Sequence, residues 1–398
     1  MNQISQRVQN LAPSATLAMS QKSNELKAQG VQVINMAVGE PDFDTPEHIK
    51  QAAKQAVDDN FTRYTPVPGY LSLRKAIAKK LKEENNIEFA PEQIIVGNGA
   101  KHELCNCIMA VINAGDEVII PTPAWVSYIE MVKLADGKPV LVATGYEQDF
   151  KITPEQLRAA ITDKTRMIIL CSPSNPTGSI YSKAELKALA DVLAEYPDIL
   201  ILADEIYEHI NYVGEMNSIS QFENVRDNVA IINGVSKAYA MTGWRIGYIA
   251  APLWLAKAIS KLQGQYTSGA SSIAQKAAEA AYLGDQTCVE EMRQAFERRC
   301  NLIVSLLQEI PGIKINKPQG AFYVFPEISA YLGKQTPEGK VIEDAGQMAI
   351  YLLETAHVAT VDGAAFCAPG YIRLSYATSD ENIREAISRI AKALAALK

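Results

Sequence analysis

Residues 234–248 read GVSKAYAMTGWRIGY, a run in which Lys237 is surrounded by Val235, Ala238, Tyr239 and Ala240 and no acidic residue occurs. Stripping water from an ammonium is expensive, so most lysines lie on polar faces. An exposed loop accommodates this run, and so does a lysine whose amine must become nucleophilic. Upstream, Asp204 follows the apolar run ILILA, which places a carboxylate at the rim of a core. There it needs a cationic or donor partner, and a structural salt bridge would satisfy it. Tyr207 adds a phenol nearby. The segment SPSNPTG (172–178) is a turn built from Pro173, Pro176 and Gly178, with Asn175 fixed before a proline. The segment GNGAKHE (97–103) has the small residues of a phosphate cradle, in which a helix start offers free N–H groups. It fits a plain tight turn equally well.

A lysine, a carboxylate, an asparagine, a phenol, a phosphate cradle and an aromatic ring (Trp125) together match the needs of pyridoxal 5'-phosphate. That cofactor takes a lysine on its aldehyde, a carboxylate on its ring nitrogen and donors on its phenolate oxygen. It also needs a phosphate site and benefits from a stacked ring. A dinucleotide is disfavoured, because His102 stands where the third glycine of G-x-G-x-x-G would be.

These residues must be positioned by a sheet. Short β-branched runs recur at 94–99, 117–122, 139–144, 166–173, 199–207, 229–236 and 246–252, most of them apolar on both parities. Such strands are buried on both faces, and the helical stretches between them, such as SKAELKALADVLAEY, make the sheet mostly parallel. The last two runs lie close together, which predicts an antiparallel strand at one edge. Functional groups in such sheets gather just beyond the carboxyl ends of strands, where all the residues above fall. Thr45-Pro46-Glu47 reads as a helix start with Thr45 as its cap. Beyond about residue 285 a long helix, the runs GAFYVFPEI and YIRLSYAT and a closing helix read as a smaller α+β domain. The expected architecture is α/β, a large domain with a mostly parallel seven-stranded sheet flanked by helices, plus that smaller domain. The predicted division is 1–45 (arm and part of the small domain), 46–285 (large, cofactor-binding) and 286–398 (small).

The 398 residues are 48% hydrophobic and 21% charged, an ordinary globular balance, and the net charge of −7 argues against nucleic acid as a partner. The N-terminus lacks a signal-peptide core and no eighteen-residue apolar run occurs, so a cytoplasmic protein that does not engage a membrane is expected. The six cysteines form no disulfide framework. Cys105 and Cys107, in HELCNC, read as buried, inert thiols rather than metal ligands, and no metal is expected.

SKAYAMTGWRIGY resembles the lysine motif of class I aminotransferases, the fold-type-I pyridoxal-phosphate enzymes. GEPDFDTP, YTPVPGYLSLR, SPSNPTG, DEIYEH and YIRLSYATS match in family order, so the resemblance spans nearly the whole chain. It is closest to bacterial aspartate aminotransferases of the subgroup with PSAT near the start. The resemblance implies that Lys237 carries the cofactor and, once freed, shuttles the substrate α-proton. It implies that Asp204 pairs with the ring nitrogen, that Tyr207 and Asn175 bond the phenolate oxygen, and that Trp125 stacks on the ring. Gly99, Ala100 and Lys101, with Ser236 and Arg245, would hold the phosphate. Tyr64 would reach the phosphate of a neighbouring subunit, which implies a homodimer. Arg373 would bind the substrate α-carboxylate as a fork, with Gly39 contacting it through its backbone.

For the distal carboxylate, GQYTSGASSI (264–273) offers no counterpart of the arginine that many aspartate aminotransferases use. Lys101 and Thr16 stand where the closest subgroup has a lysine and a threonine; a surface charge at a helix start is the alternative for Lys101. Tyr128 supports Asp204 or simply packs, and His209 reads as a satisfied structural histidine. The expected substrates are amino acids and 2-oxo acids, aspartate and glutamate first. The alternatives are aromatic or alanine transamination, a lyase of the same fold, or a non-catalytic binding module.

Overall fold

Seven runs of β-branched residues build one sheet in this computed structural model, which describes residues 4–13 and 15–398. Ser14 of the PSAT signature lies outside the described residues. The strands are β1 (Ile94–Gly97), β2 (Glu117–Thr122), β3 (Lys138–Ala143), β4 (Thr165–Cys171), β5 (Leu200–Asp204), β6 (Val229–Gly234) and β7 (Gly247–Ala250). Their order is β1-β7-β6-β5-β4-β2-β3. All neighbours are parallel except β7, which is antiparallel to both β1 and β6.

The antiparallel strand is therefore second from the edge, whereas the sequence spacing predicts it at the edge itself. The connection 235–246 does turn the chain back beside β6. The free side of β7 is then covered by β1, whose four residues are all buried.

Period-two alternation sends successive strand residues to two apolar layers. Val118 and Ile120 face the helices Ala100–Val111, Val126–Leu134 and Leu253–Tyr266. Ile119 faces the helices Glu47–Asp58, Leu71–Asn85, Lys183–Leu193 and Ser272–Leu283. Strand β3, at the edge, leaves residues exposed along its length.

The helix expected after Thr45 starts one residue late. Pro46 is the cap, and the Thr45 hydroxyl instead donates to Ala240 O at 2.7 Å and accepts from Trp244 Nε1 at 3.0 Å. A long-range pair thus took the hydroxyl that local capping would have used.

A second core forms around Thr287–Gln308 and Asp380–Ala395. The closing helix buries Ile383, Ala386, Ile387, Ile390 and Leu394 along one stripe, and Ser379 caps it by accepting from Asn382 N. Strand Ile372–Ser375 pairs with both Tyr323–Val324 and Val361–Asp362. Ile34–Asn35 pairs in parallel with Val358–Ala359, which ties the N-terminal segment to the C-terminal core. The GAFYVFPEI run is strand over only two residues, since Ala321 takes a positive φ of 56° just before it.

No helix among the described residues is long and apolar enough to cross a membrane. Cys107 is buried, but Cys105 on the same helix is partly exposed, a correction to the expected pair of buried thiols. Helical spacing turns the two side chains to different faces.

Candidate active site

The strand ends deliver their side chains to one cleft. Asp204 is the last residue of β5 and is buried. Its Oδ2 accepts from the Tyr128 hydroxyl at 2.6 Å and its Oδ1 from Ile206 N at 3.3 Å. Burial pushes its carboxyl up to about 6, against the opposing pull of the Tyr128 hydrogen bond and of the Lys237 charge. Tyr128 thus supports Asp204 directly. Trp125 caps the helix that carries Tyr128 and packs edge-on against it at 5.4 Å.

Lys237 follows β6. Its Nζ donates to Gly39 O at 2.6 Å and lies 5.8 Å from the Tyr207 ring centre and 5.9 Å from that of Phe322. Burial pushes the amine down to about 8, Glu40 opposes that shift, and Arg373 and Arg245 add to it.

The segment around GEPDFDTP is explained by its partners. Gly39 O meets Lys237, Glu40 accepts from Thr242, and Asp42 takes a two-pronged bond from Arg299 at 2.7 and 2.9 Å. Phe43 packs on Phe296. A Cβ on Gly39 would collide with the Tyr323 hydroxyl, so only glycine fits there.

Arg373 is buried on strand Ile372–Ser375. It donates to Asn175 Oδ1 at 3.0 Å and to Ala37 O at 2.6 Å, while its Nε has no partner among the described residues. The guanidinium lies on the faces of Tyr323 (4.6 Å) and Phe366 (5.0 Å). A buried cation that bonds only neutral oxygens is costly unless an anion joins it. Because Asn175 presents its oxygen to Arg373, its Nδ2 is left as a donor.

On the other side, Gly99 caps the helix Ala100–Val111 with φ at 87°. A Cβ there would collide with the Arg245 guanidinium. Arg245 donates to Asn98 O at 3.2 Å and to Thr242 O at 2.9 Å. The first N–H groups of this helix have no intrahelical acceptors. Lys101 holds its Nζ over the Trp125 ring at 4.7 Å, and burial together with Arg245 lowers its pKa. Ser236 is buried beside Lys237.

The structure therefore gathers Lys237, Asp204, Asn175, Tyr207, Arg373 and Gly39, with Gly99–Lys101, Arg245, Trp125 and Ser236 alongside. It does not bring in Tyr64, whose side chain is fully exposed. Nor is Thr16 placed in the cluster: it lies in the first turn of the N-terminal helix Ala15–Ala28. His209 Nε2 is satisfied by Glu84 at 2.9 Å.

Tyr323 is the residue that sequence reasoning missed. Its hydroxyl pairs with that of Tyr207 at 2.8 Å. Nothing local signals it, since a tyrosine in an apolar run reads as core.

The family model for aminotransferase class I and II matches residues 31–390. An aspartate/prephenate aminotransferase of Nitrosomonas europaea is 48% identical over 395 residues, covering 98% of this chain and 99% of that one. An aspartate aminotransferase of Bacillus subtilis is 49% identical over 389 residues, with 97% and 98% covered. Among solved structures, the aspartate aminotransferase of Rhizobium meliloti superposes with a TM-score of 0.97 at 44% identity, covering all of both chains. That of Thermus thermophilus with maleate gives 0.92 at 43%, covering 99% of this chain and 100% of that one. A match over nearly the full length, with a fold and a cleft to accompany it, means that the chain belongs to the class I and II aminotransferases.

Proposed function

We propose that the chain is a pyridoxal-phosphate enzyme that moves the amino group of L-aspartate, or a related amino acid, to 2-oxoglutarate by a ping-pong cycle. The observation that carries this reading is that Asp204, Lys237 and Arg373 face one cleft and bond only to neutral groups.

The residues fit the cofactor. A protonated ring nitrogen would provide the cation that buried Asp204 lacks. Asn175 Nδ2 and the Tyr207 hydroxyl would donate to the phenolate oxygen, and Trp125 would stack on the ring. The N–H groups of Gly99, Ala100 and Lys101, with Ser236 and Arg245, would hold the phosphate. When bound, the cofactor supplies an electron sink for the bond broken at the substrate α-carbon.

This chain's residues would do the rest. A Lys237 amine near 8 is neutral often enough at physiological pH to act as a nucleophile and then to take and return the α-proton. Arg373, with Nε free of partners among the described residues, would receive the α-carboxylate and fix which α-bond is presented. The Gly39 N–H would add to that grip.

Lys101, beside Trp125, and Thr16 would be the groups that meet the distal carboxylate. Maleate, the four-carbon dicarboxylate in the Thermus thermophilus structure, supports a dicarboxylate substrate. Full exposure of Tyr64 supports a homodimer in which each subunit's Tyr64 reaches the phosphate of the other. The two apolar layers around the sheet, drawn almost wholly from 46–285, and the packing of Met36 with Phe296 and the closing helix support a large domain at 46–285 and a small one formed by 286–398 with part of 1–45.

The test is an absorbance spectrum of the protein loaded with pyridoxal phosphate, before and after aspartate. A visible band that gives way to a pyridoxamine-type ultraviolet band, and returns with 2-oxoglutarate, is expected. No band would overturn the cofactor; a band that neither aspartate nor glutamate alters would overturn the substrate class.

A further inference from the structure

Tyr323 has no role in the scheme above, yet its side chain touches three parts of the site. It is buried on strand Tyr323–Val324, and its hydroxyl shares a 2.8 Å hydrogen bond with Tyr207. Its ring lies against the Arg373 guanidinium at 4.6 Å. Its hydroxyl also fills the space that a Cβ on Gly39 would need. A position that only required packing would be met by phenylalanine; here glycine at 39 makes room for the oxygen itself.

When two phenols share one hydrogen bond, one is the donor and the acceptor's own proton points elsewhere. Burial raises both phenols, and the Arg373 charge opposes the rise at both. The Arg373 guanidinium lies 4.6 Å from the centre of the Tyr323 ring, and a cation beside a phenol makes it the stronger donor, which gives the shared hydrogen to Tyr323. The other titratable groups facing the pair are Lys237 after β6, Cys171 at the end of β4 and Glu40 in the N-terminal segment. None of them forms a hydrogen bond to either hydroxyl among the described residues.

We propose that Tyr323 is a positioning residue that donates its hydroxyl hydrogen to Tyr207 and so directs the Tyr207 proton toward the cofactor's phenolate oxygen. The proposal rests on the pyridoxal-phosphate reading above. Hydrogen bonds in such chains strengthen one another, so Tyr207 becomes a stronger donor when Tyr323 donates to it. Stronger donation from Tyr207 to that oxygen would lower the pH at which the neighbouring proton is lost. Loss of the Tyr323 hydroxyl must then raise the pH midpoint of the bound cofactor's absorbance change.

The experiment titrates the visible absorbance of the loaded protein, without substrate, in the wild type, Tyr323→Phe, Tyr207→Phe and the double variant. Tyr323→Phe should raise the midpoint by roughly 0.1–0.6 unit, the cooperative share of one charge-assisted hydrogen bond. In the Tyr207→Phe background the same change should add nothing. Fluorotyrosine incorporated at position 323, a stronger donor of nearly the same shape, should move the midpoint down, and this variant needs no repacking. An unchanged midpoint, or an equal rise with and without Tyr207, would overturn the proposal. A wild-type protein without a cofactor band would instead overturn the cofactor reading on which it depends.

Discussion

Asp204→Asn in the cofactor-free protein should raise stability at alkaline pH while removing activity. The carboxyl is buried with two neutral donors and no cation bonded to it, and burial holds its pKa at about 6 against an ordinary value of 3.8. A raised carboxyl pKa means that the fold favours the neutral acid. The stability associated with this group is therefore fully present below the unfolded value and is lost as pH rises through 6. Over the whole range the loss is about 3 kcal/mol, from roughly two pKa units at about 1.4 kcal/mol each. Between pH 5 and pH 8 the same linkage gives a loss of about 1.4 kcal/mol. Asparagine has no charge to bury, so its stability lacks this slope. Urea unfolding of both cofactor-free proteins at equal concentration, from pH 5 to pH 8, measures the divergence. The wild type should lose ground to the variant by about that amount. Parallel curves would refute the view that Asp204 is an unpaired buried carboxylate waiting for a cation. Reloading with pyridoxal phosphate should reverse the order, because only the carboxylate gains from a ring-nitrogen cation.

The same geometry sets four further outcomes. Lys237→Ala should reduce kcat by at least about 10³-fold while the protein still retains pyridoxal phosphate non-covalently, since the proton carrier goes and the phosphate cradle stays; turnover and cofactor dialysis check this. In the cofactor-free wild type, modification of Lys237 by an amine reagent should rise with a midpoint near 8, because burial holds the amine down to about 8. Arg373→Leu should lower kcat/KM for dicarboxylates by about 10²-fold or more, from the loss of a desolvated charge pair, and Arg373→Lys should recover only part of it, as steady-state kinetics will read. Lys80→Met should destabilise the fold by about 3–5 kcal/mol, because it leaves buried Glu208 without the lysine that holds it, together with Asn85, behind the Asp204–Tyr207 turn. Denaturant unfolding measures that loss.

The local chemistry of this chain was legible in its amino-acid order. Runs such as EVIIPT and ILILA declared strands buried on both faces because apolar residues occupied both parities. Lys237 and Asp204 stood out because a charge next to such runs demands a reason. Asn175 stood out because prolines held it rigid. What the order of residues could not determine was which distant groups would meet. The Thr45 hydroxyl was claimed by Ala240 and Trp244 rather than by its own helix. Strand β7 was enclosed by β1, which lies far earlier in the chain. Tyr323 came to face Tyr207, Gly39 and Arg373, groups carried by three other segments. Periodicity and turn chemistry act over a few residues, so the sequence by itself determined the elements and the residue types at their ends. Pairing across the sheet and between the two cores depends on burial summed over the whole molecule, and only the tertiary structure decided it.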